Sequence, residues 1–341
     1  MWLHAGRLMR MLAVALPAVV MVPQVRADET AIDEGGAAVV ARVGEMPILR
    51  AELAAILRRT GGEALPMSGR RQLLEAEAVE QLVNERLLQQ AVVAERVEVD
   101  PAEVASMLKA MKAQLAEKQI PFEVFLAQSG RDEPSLQRQL ELDAAVRKLL
   151  LPRITSEALA ATFAKHRREI DGTRMRASHI VLRPDPARGD DAVTEMIRRA
   201  EAIRREILKG TVTFTDAARM HSAGPSRSLG GDIGYFPRHG VLHEDFTRAV
   251  FSLGKGDVSQ PFVTPFGVHL ALVTDIQPGS AAADSLRPQL EAILVRQEIR
   301  AILDRVRAAT PVSFSPGVSH FDGPADESRP RKLVVEPVPG G

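Results

Sequence analysis

At Gly172 the spacing of apolar residues switches from a helical period to an extended one. Before it, Leu74, Ala78, Leu82, Leu88 and Val92 mark one face of a long amphipathic helix over about Arg70 to Val97. Asp100-Pro101-Ala102-Glu103 opens the next helix. Asp100 accepts from unpaired backbone N–H groups, Pro101 suits the first turn, and Glu103 completes a capping pair. Further helices are expected after Asp132, through Leu136, Leu140, Ala144 and Leu149-Leu150, and from Thr155-Ser156-Glu157 to just before Asp171. Apart from a short strand at Val39–Val43, this first part reads as all helical.

After Gly172, Met175 to Leu182 is a β-prone run closed by Pro184 and Pro186. A helix from about Asp190 ends at Lys209-Gly210, a cation followed by a glycine. Thr213-Phe214-Thr215-Asp216 caps a short helix, Gly-rich Leu229 to Gly234 leads into Tyr235-Phe236, and another short helix covers Asp245 to Phe251. Val258 to Val263 and Val268 to Ile276 read as a hairpin turning at Pro265-Phe266-Gly267. The order β, α, α, β, α, β, β predicts a small mixed sheet with flanking helices. One more amphipathic helix, Asp284 to Ala309, is too isolated to bury its own apolar face. It is expected to pack back on the N-terminal helices. The fold class is therefore α+β, divided as a helical domain (28–172), a small sheet domain (173–279) and a C-terminal helix (280–314). The Pro-, Gly- and charge-rich tail (315–341) reads as disordered.

Residues 1–27 supply an address. Arg7 and Arg10 precede the mostly apolar run Met11 to Val22, and Val25-Arg26-Ala27 carries small or aliphatic residues where a signal peptidase reads. The run, interrupted at Pro17, is short for a membrane span of about 20 apolar residues. A cleaved secretory signal is expected, with an uncleaved anchor as the alternative. The protein is thus placed in the periplasm or another extracytoplasmic space, with no stable membrane span once the signal is removed.

Composition narrows the chemistry. There is no cysteine, which removes disulfides, thiolate catalysis and Cys-ligated metals. Forty-four basic and 44 acidic residues balance, so no electrostatic footprint for nucleic acid shows at whole-chain level. His239 and His243 have the spacing of a helical metal pair, but Gly240 lies between them and no carboxylate motif supports them. Ser222 and Ser226 lack a nucleophile elbow. Gly230-Gly231-Asp232-Ile233-Gly234 is not followed by the long helix a dinucleotide site needs. Arg183 and Arg188 read as a solvated basic loop, or as a site for phosphate or for an acidic residue before proline. No cofactor and no metal are expected.

Five blocks occur in order: Ala177-Ser178-His179-Ile180-Val181, Phe214-Thr215-Asp216-Ala217-Ala218, Gly230-Gly231-Asp232-Ile233-Gly234-Tyr235-Phe236, Phe246-Thr247-Arg248-Ala249-Val250-Phe251 and Phe266-Gly267-Val268-His269. Together they resemble the parvulin (rotamase) peptidyl-prolyl cis-trans isomerases. The layout, helices before the block and a lone helix after it, is similar to the exported SurA- and PrsA-type chaperone-isomerases. The resemblance implies clients that are unfolded or partly folded exported polypeptides containing proline. It assigns His179 and His269 to the paired central histidines and Thr264 to their hydroxyl partner. It assigns Ile233, Leu242 and Phe246 to the apolar proline pocket, with Phe266 at its rim. The residues themselves say that two imidazoles in apolar strands need partners, and each is the obvious partner of the other. Relatives often place an acid or a cysteine where this chain has Gly224, with Ser222 and Ser226 nearby. That departure leaves two readings open: an isomerase, or a peptide-binding chaperone whose parvulin domain does not turn over.

Overall fold

The computed structural model describes residues 39–66, 68–183, 190–323 and 332–335. The expected signal segment, the loop with Arg188 and part of the tail lie outside them. The chain forms two compact units: one from residues up to Thr155 together with those from Val295 onward, the other from Ser156 to Leu294.

In the first unit, β1 (Val39–Val43) and β2 (Met46–Leu49) form a hairpin that turns at Gly44, φ +56°. Five helices follow: α1 (Arg50–Arg59), α2 (Gly69–Ala94), α3 (Pro101–Glu117), α4 (Phe122–Ser129) and α5 (Glu133–Leu150). Asp100 caps α3 as expected, accepting from the Ala102 N–H at 2.9 Å, but Glu103 does not complete the pair and instead meets Arg147 and Lys148 of α5. Asp132 caps α5, accepting from the Ser135 N–H at 2.8 Å. One core lies between the hairpin, α1 and α2, through Val40, Ile48, Leu53, Val79 and Leu87. The C-terminal helix, α10 (Arg287–Ala309), returns here: Ile302 is fully buried among Leu142, Val146 and Leu150 of α5 and Ala91 of α2. Behind it, β7 (Val312–Phe314) pairs with β1, so the sheet order is β2-β1-β7. The unit is therefore not all helical, because the strand at Val39 finds partners on both sides.

The tail also departs from expectation. β8 (Ser319–Phe321) pairs with β9 (Leu333–Val335), and Val318 joins the Val79–Leu82 core. The Ser319 hydroxyl donates to Glu75 of α2 at 2.9 Å. A few apolar side chains with a helix face to cover are enough to order a stretch whose composition alone reads as disordered.

The second unit comprises α6 (Ser156–Ile170), β3 (Arg174–Leu182), α7 (Asp190–Leu208), α8 (Phe214–His221), β4 (Asp232–Pro237), α9 (Glu244–Phe251), β5 (Phe262–Thr264), β6 (Gly267–Gln277) and the opening turns of α10. Its antiparallel sheet runs β4-β3-β6-β5. Val258, expected to begin β5, contributes only an isolated bridge to Leu272. Each face carries its own core. Ile180, Leu182, Val268 and Leu270 pack with Ala200 and Ile203 of α7 and Phe214 of α8. Met175, Ala177, Ala271 and Val273 pack with Phe236 and with Phe246, Val250 and Phe251 of α9. Alternation along a strand then puts the odd-numbered residues of β3 and β6, His179 and His269 among them, on the α9 face. Entry and exit are sewn together by buried Asp171. Its carboxylate accepts from the Thr173 N–H and hydroxyl, its carbonyl accepts from the Ala281 N–H, and the Thr173 hydroxyl accepts from the Gly279 N–H.

Candidate functional site

The α9 face of the sheet holds a cavity of about 200 Å³. Register makes His179 and His269 diagonal neighbours, since Val181 sits opposite His269 and His179 opposite Ala271. Their rings stack at 5.8 Å with 25° between planes. That geometry corrects the expectation that each imidazole hydrogen-bonds the other: stacked diagonal rings do not aim nitrogen at nitrogen. Thr264, from β5, takes that role for one of them, with its hydroxyl 2.8 Å from His269 Nε2. The same oxygen also accepts from the Phe266 N–H at 3.1 Å, so Thr264 ties His269 to the turn that carries Phe266. The Nδ1 atoms of both histidines are buried and without a hydrogen-bond partner.

Burial, and then the neighbouring His179, pulls the His269 pKa down to about 4. Burial pulls His179 down as well. Desolvation disfavours a charged imidazole, so at neutral pH the pair is uncharged. Phe246 anchors the cluster, its ring 5.7 Å from His179, 5.6 Å from His269 and 5.5 Å from Phe262, each edge-on. Ile233 of β4 and Leu242 pack against the same core and line the cavity. Phe266 lies at the mouth, 63% exposed.

Two glycines shape the site for different reasons. Gly231 has φ +88°, and a Cβ there would lie 2.5 Å from the His179 carbonyl oxygen. Only glycine lets this loop approach β3 closely enough for the His179 N–H to reach the Gly231 carbonyl at 2.9 Å. Gly224 has an ordinary φ of −82° and leads into a 3-10 turn at Pro225–Leu229, so it is not there for loop freedom. A Cβ on it would meet Val181 Cγ1 at 3.0 Å and His179 Nε2 at 3.3 Å. The position therefore faces the histidine pair but presents no side chain. Neither nearby serine substitutes for one. The Ser222 hydroxyl accepts from the Val181 and Gly224 N–H groups, each at 3.2 Å, the Ser226 hydroxyl is buried without a partner, and neither residue lines the cavity.

The cavity thus gathers the eight residues singled out from the sequence: His179, His269, Thr264, Gly224, Ile233, Leu242, Phe246 and Phe266. It adds Val181, Pro225, Arg183 and His243. His243 was weighed only as a metal ligand. Instead its Nδ1 accepts from the Asp245 N–H and caps α9, while its ring stands edge-on to Phe266 at 6.1 Å. His239 lies beside Glu244 at 3.5 Å. Among the described residues no three His, Cys, Asp or Glu side chains gather as a metal site. Sequence reasoning also missed Arg238. It is 7% exposed and pairs through both terminal nitrogens with Glu244, and Nη1 also donates to the Thr247 hydroxyl at 2.8 Å. This clamp ties the first turns of α9, which carries Phe246, to the end of β4. A lone arginine after Phe236-Pro237 offers no pattern by which to anticipate it.

Residues 179–275 match the family model for the PPIC-type PPIase domain, and residues 4–150 match that for the SurA-like N-terminal domain. The chain carries a parvulin-type peptidyl-prolyl isomerase domain behind a SurA-like domain. Foldase protein PrsA of Bacillus subtilis (strain 168) is 25% identical over 272 residues, 79% of this chain and 78% of that protein. Chaperone SurA of Idiomarina loihiensis is 31% identical over 136 residues, 40% of this chain and 31% of that protein, so the parvulin-type chain matches about a third of that SurA. The crystal structure of PrsA from Bacillus subtilis aligns with a TM-score of 0.27 at 24% identity, covering 80% of this chain and 91% of that one. Among the described residues no helix is long and apolar enough to cross a membrane.

Proposed function

We propose that the protein is an exported foldase that accelerates cis–trans exchange of X–Pro bonds in unfolded polypeptides. The carrying observation is the cavity itself: apolar, of a size for one proline ring, and set against two uncharged imidazoles. Peptide rotation meets a barrier of about 18–20 kcal/mol. The two X–Pro isomers differ by about 1 kcal/mol or less, so the reaction needs a lower barrier and little equilibrium work. No nucleophile, metal or cofactor is called for. On this reading Ile233, Leu242 and Phe246 hold the ring, with Phe266 closing over it. The planar amide, the more polar form, loses its water there, while the twisted amide loses less. A thousandfold acceleration needs only about 4 kcal/mol of such preference. Neutral His179 and His269, the latter held by Thr264, keep the strand faces rigid without placing a charge beside the amide.

The address rests on the Arg7–Ala27 segment, and the client class on the SurA-like and PrsA-like relatives. We take residues 1–27 as a leader, and the isomerase proper as the sheet domain from about 173 to 279. A second reading, a peptide-binding chaperone without turnover, is favoured by Gly224, which gives the carbonyl side of the site no polar side chain. A proline-peptide isomerisation assay on the full chain separates the two. Acceleration supports the isomerase, and peptide binding without acceleration leaves the binder.

A further inference from the structure

The first unit has a second, larger concavity of about 910 Å³, walled by α1, α2 and the α4–α5 hairpin. Arginines dominate its charge. Arg58, Arg59, Arg86, Arg131 and Arg138 line it against Glu52, Glu85 and Asp132. Arg86 is engaged by Glu52 and Glu85, Arg58 by Glu63 outside the cleft, and Asp132 is used as the cap of α5. Among the described residues, Arg59, Arg131 and Arg138 make no ion pair.

Two of these cations also work against each other. Burial, and then the nearby Arg131, pulls the Arg59 guanidinium below its usual pKa. Arg131 in turn acts on Glu85 and Asp143, whose carboxyls burial pushes up, and Arg138 acts on Asp132. Five arginines against three carboxylates along a concave lining leave an excess of positive charge that favours an anion. Around them lie apolar Ile56, Leu82 and Leu126, with the amides of Gln81, Gln89 and Gln139. That mixture suits an extended peptide: amides for its backbone, apolar patches for its neutral side chains, guanidiniums for its carboxylates. The volume lies at the upper end of the range for ligand pockets, about 300–1,000 Å³. A flat anionic membrane surface cannot enter such a concavity.

We propose that this cleft binds acidic segments of unfolded polypeptides, so that the chain selects clients by charge at a site separate from the proline pocket. The proposal rests on the chaperone half of the proposed function and is independent of isomerase turnover. The test uses the full chain and two labelled, proline-free extended peptides, one carrying several aspartates and the other asparagines in their place. The aspartate peptide is expected to bind at least about tenfold more tightly at low salt, with the margin shrinking as salt rises. Arg59→Gln/Arg131→Gln should remove that margin while leaving thermal unfolding and the rate on a short proline peptide unchanged. Arg138→Gln should narrow it. Arg59→Glu/Arg131→Glu should transfer the preference to a lysine peptide. Equal binding of the first two peptides, or a margin that survives in the double Gln variant, overturns the proposal. So does capture of phosphatidylglycerol vesicles, in place of the peptide, by the same arginines. A neutral unfolded polypeptide that still binds while the acid margin is absent sinks the charge selection alone. Its failure to bind as well removes the chaperone reading with it.

Discussion

Phe246 and His269 touch the same cavity but answer to different tests. Phe246→Ala should abolish proline-peptide binding, and truncating so buried a ring should also cost about 3–5 kcal/mol of stability. Phe246→Leu keeps more of the core, so a folded Leu variant with weakened binding isolates the pocket role. Unchanged affinity in that variant would remove Phe246 from the site. For His269 the sign follows from a folded pKa near 4 against an unfolded value of about 6.5. As pH falls below 6.5 the unfolded chain takes up the proton first. Stability is therefore lost between pH 6.5 and 4, by up to roughly 3 kcal/mol. Asp275, held down at about 2 by Lys255 and Tyr235, loses its contribution only at lower pH, outside that window. Urea unfolding against pH should show a shallower slope in His269→Asn over the window. An identical slope would assign it to other groups. Gly224→Asp needs Val181 to yield by a few tenths of an ångström, since its methyl and not backbone is the nearest atom. If the pocket is otherwise competent, the added carboxylate should raise the isomerisation rate about tenfold with little change in peptide affinity, about 1.4 kcal/mol of transition-state preference. A fast wild type that slows on this change would show that the open position already serves the reaction.

At the scale of elements, the loop before β4 is held to β3 by a contact that tolerates no side chain. Gly231→Ala would drive a methyl against the His179 carbonyl from a left-handed backbone, and should destabilise the second unit by about 2–4 kcal/mol. A wild-type denaturation midpoint would mean the loop can move aside. The loop motif was readable as a family signature, but its physical cause was not: the close approach exists only once β3 and β4 pair. In the same way α10 was expected to dock on earlier helices, and its partners, α2 and α5, emerged only from packing. Ile302→Ala should cost about 2–5 kcal/mol in the first unit and leave the unfolding of the second unchanged. A shift in both transitions would count against two separable units.

For the whole molecule, the first unit is assembled from both ends of the chain, with the second inserted between them. A fragment from Ser156 to Leu294 should unfold in one cooperative transition, because it contains its sheet, both cores and the Asp171 seam. The shorter piece from 173 to 279 loses Asp171 and Ala281, and should melt earlier. Equal melting temperatures would show the seam to be dispensable. Cutting the chain after Leu294 removes Ile302 and the β7 partner of β1, so the remaining N-terminal unit should fail to fold cooperatively.

The eight residues that meet in the cavity were legible only through the family resemblance. Local chemistry was enough for the helix cap at Asp100, the two hydrophobic periods and the order of elements after Gly172. These depend on spacing and on interactions across a few positions, which a linear chain displays directly. Tertiary structure alone decided that the imidazoles stack, that Thr264 holds one of them, that Arg238 clamps α9, and that part of the tail becomes strand. It also decided that Arg59 and Arg131 face one cleft although 72 residues of chain separate them. Each depends on the direction a side chain takes from its element and on what a distant segment brings opposite, and neither is encoded in spacing.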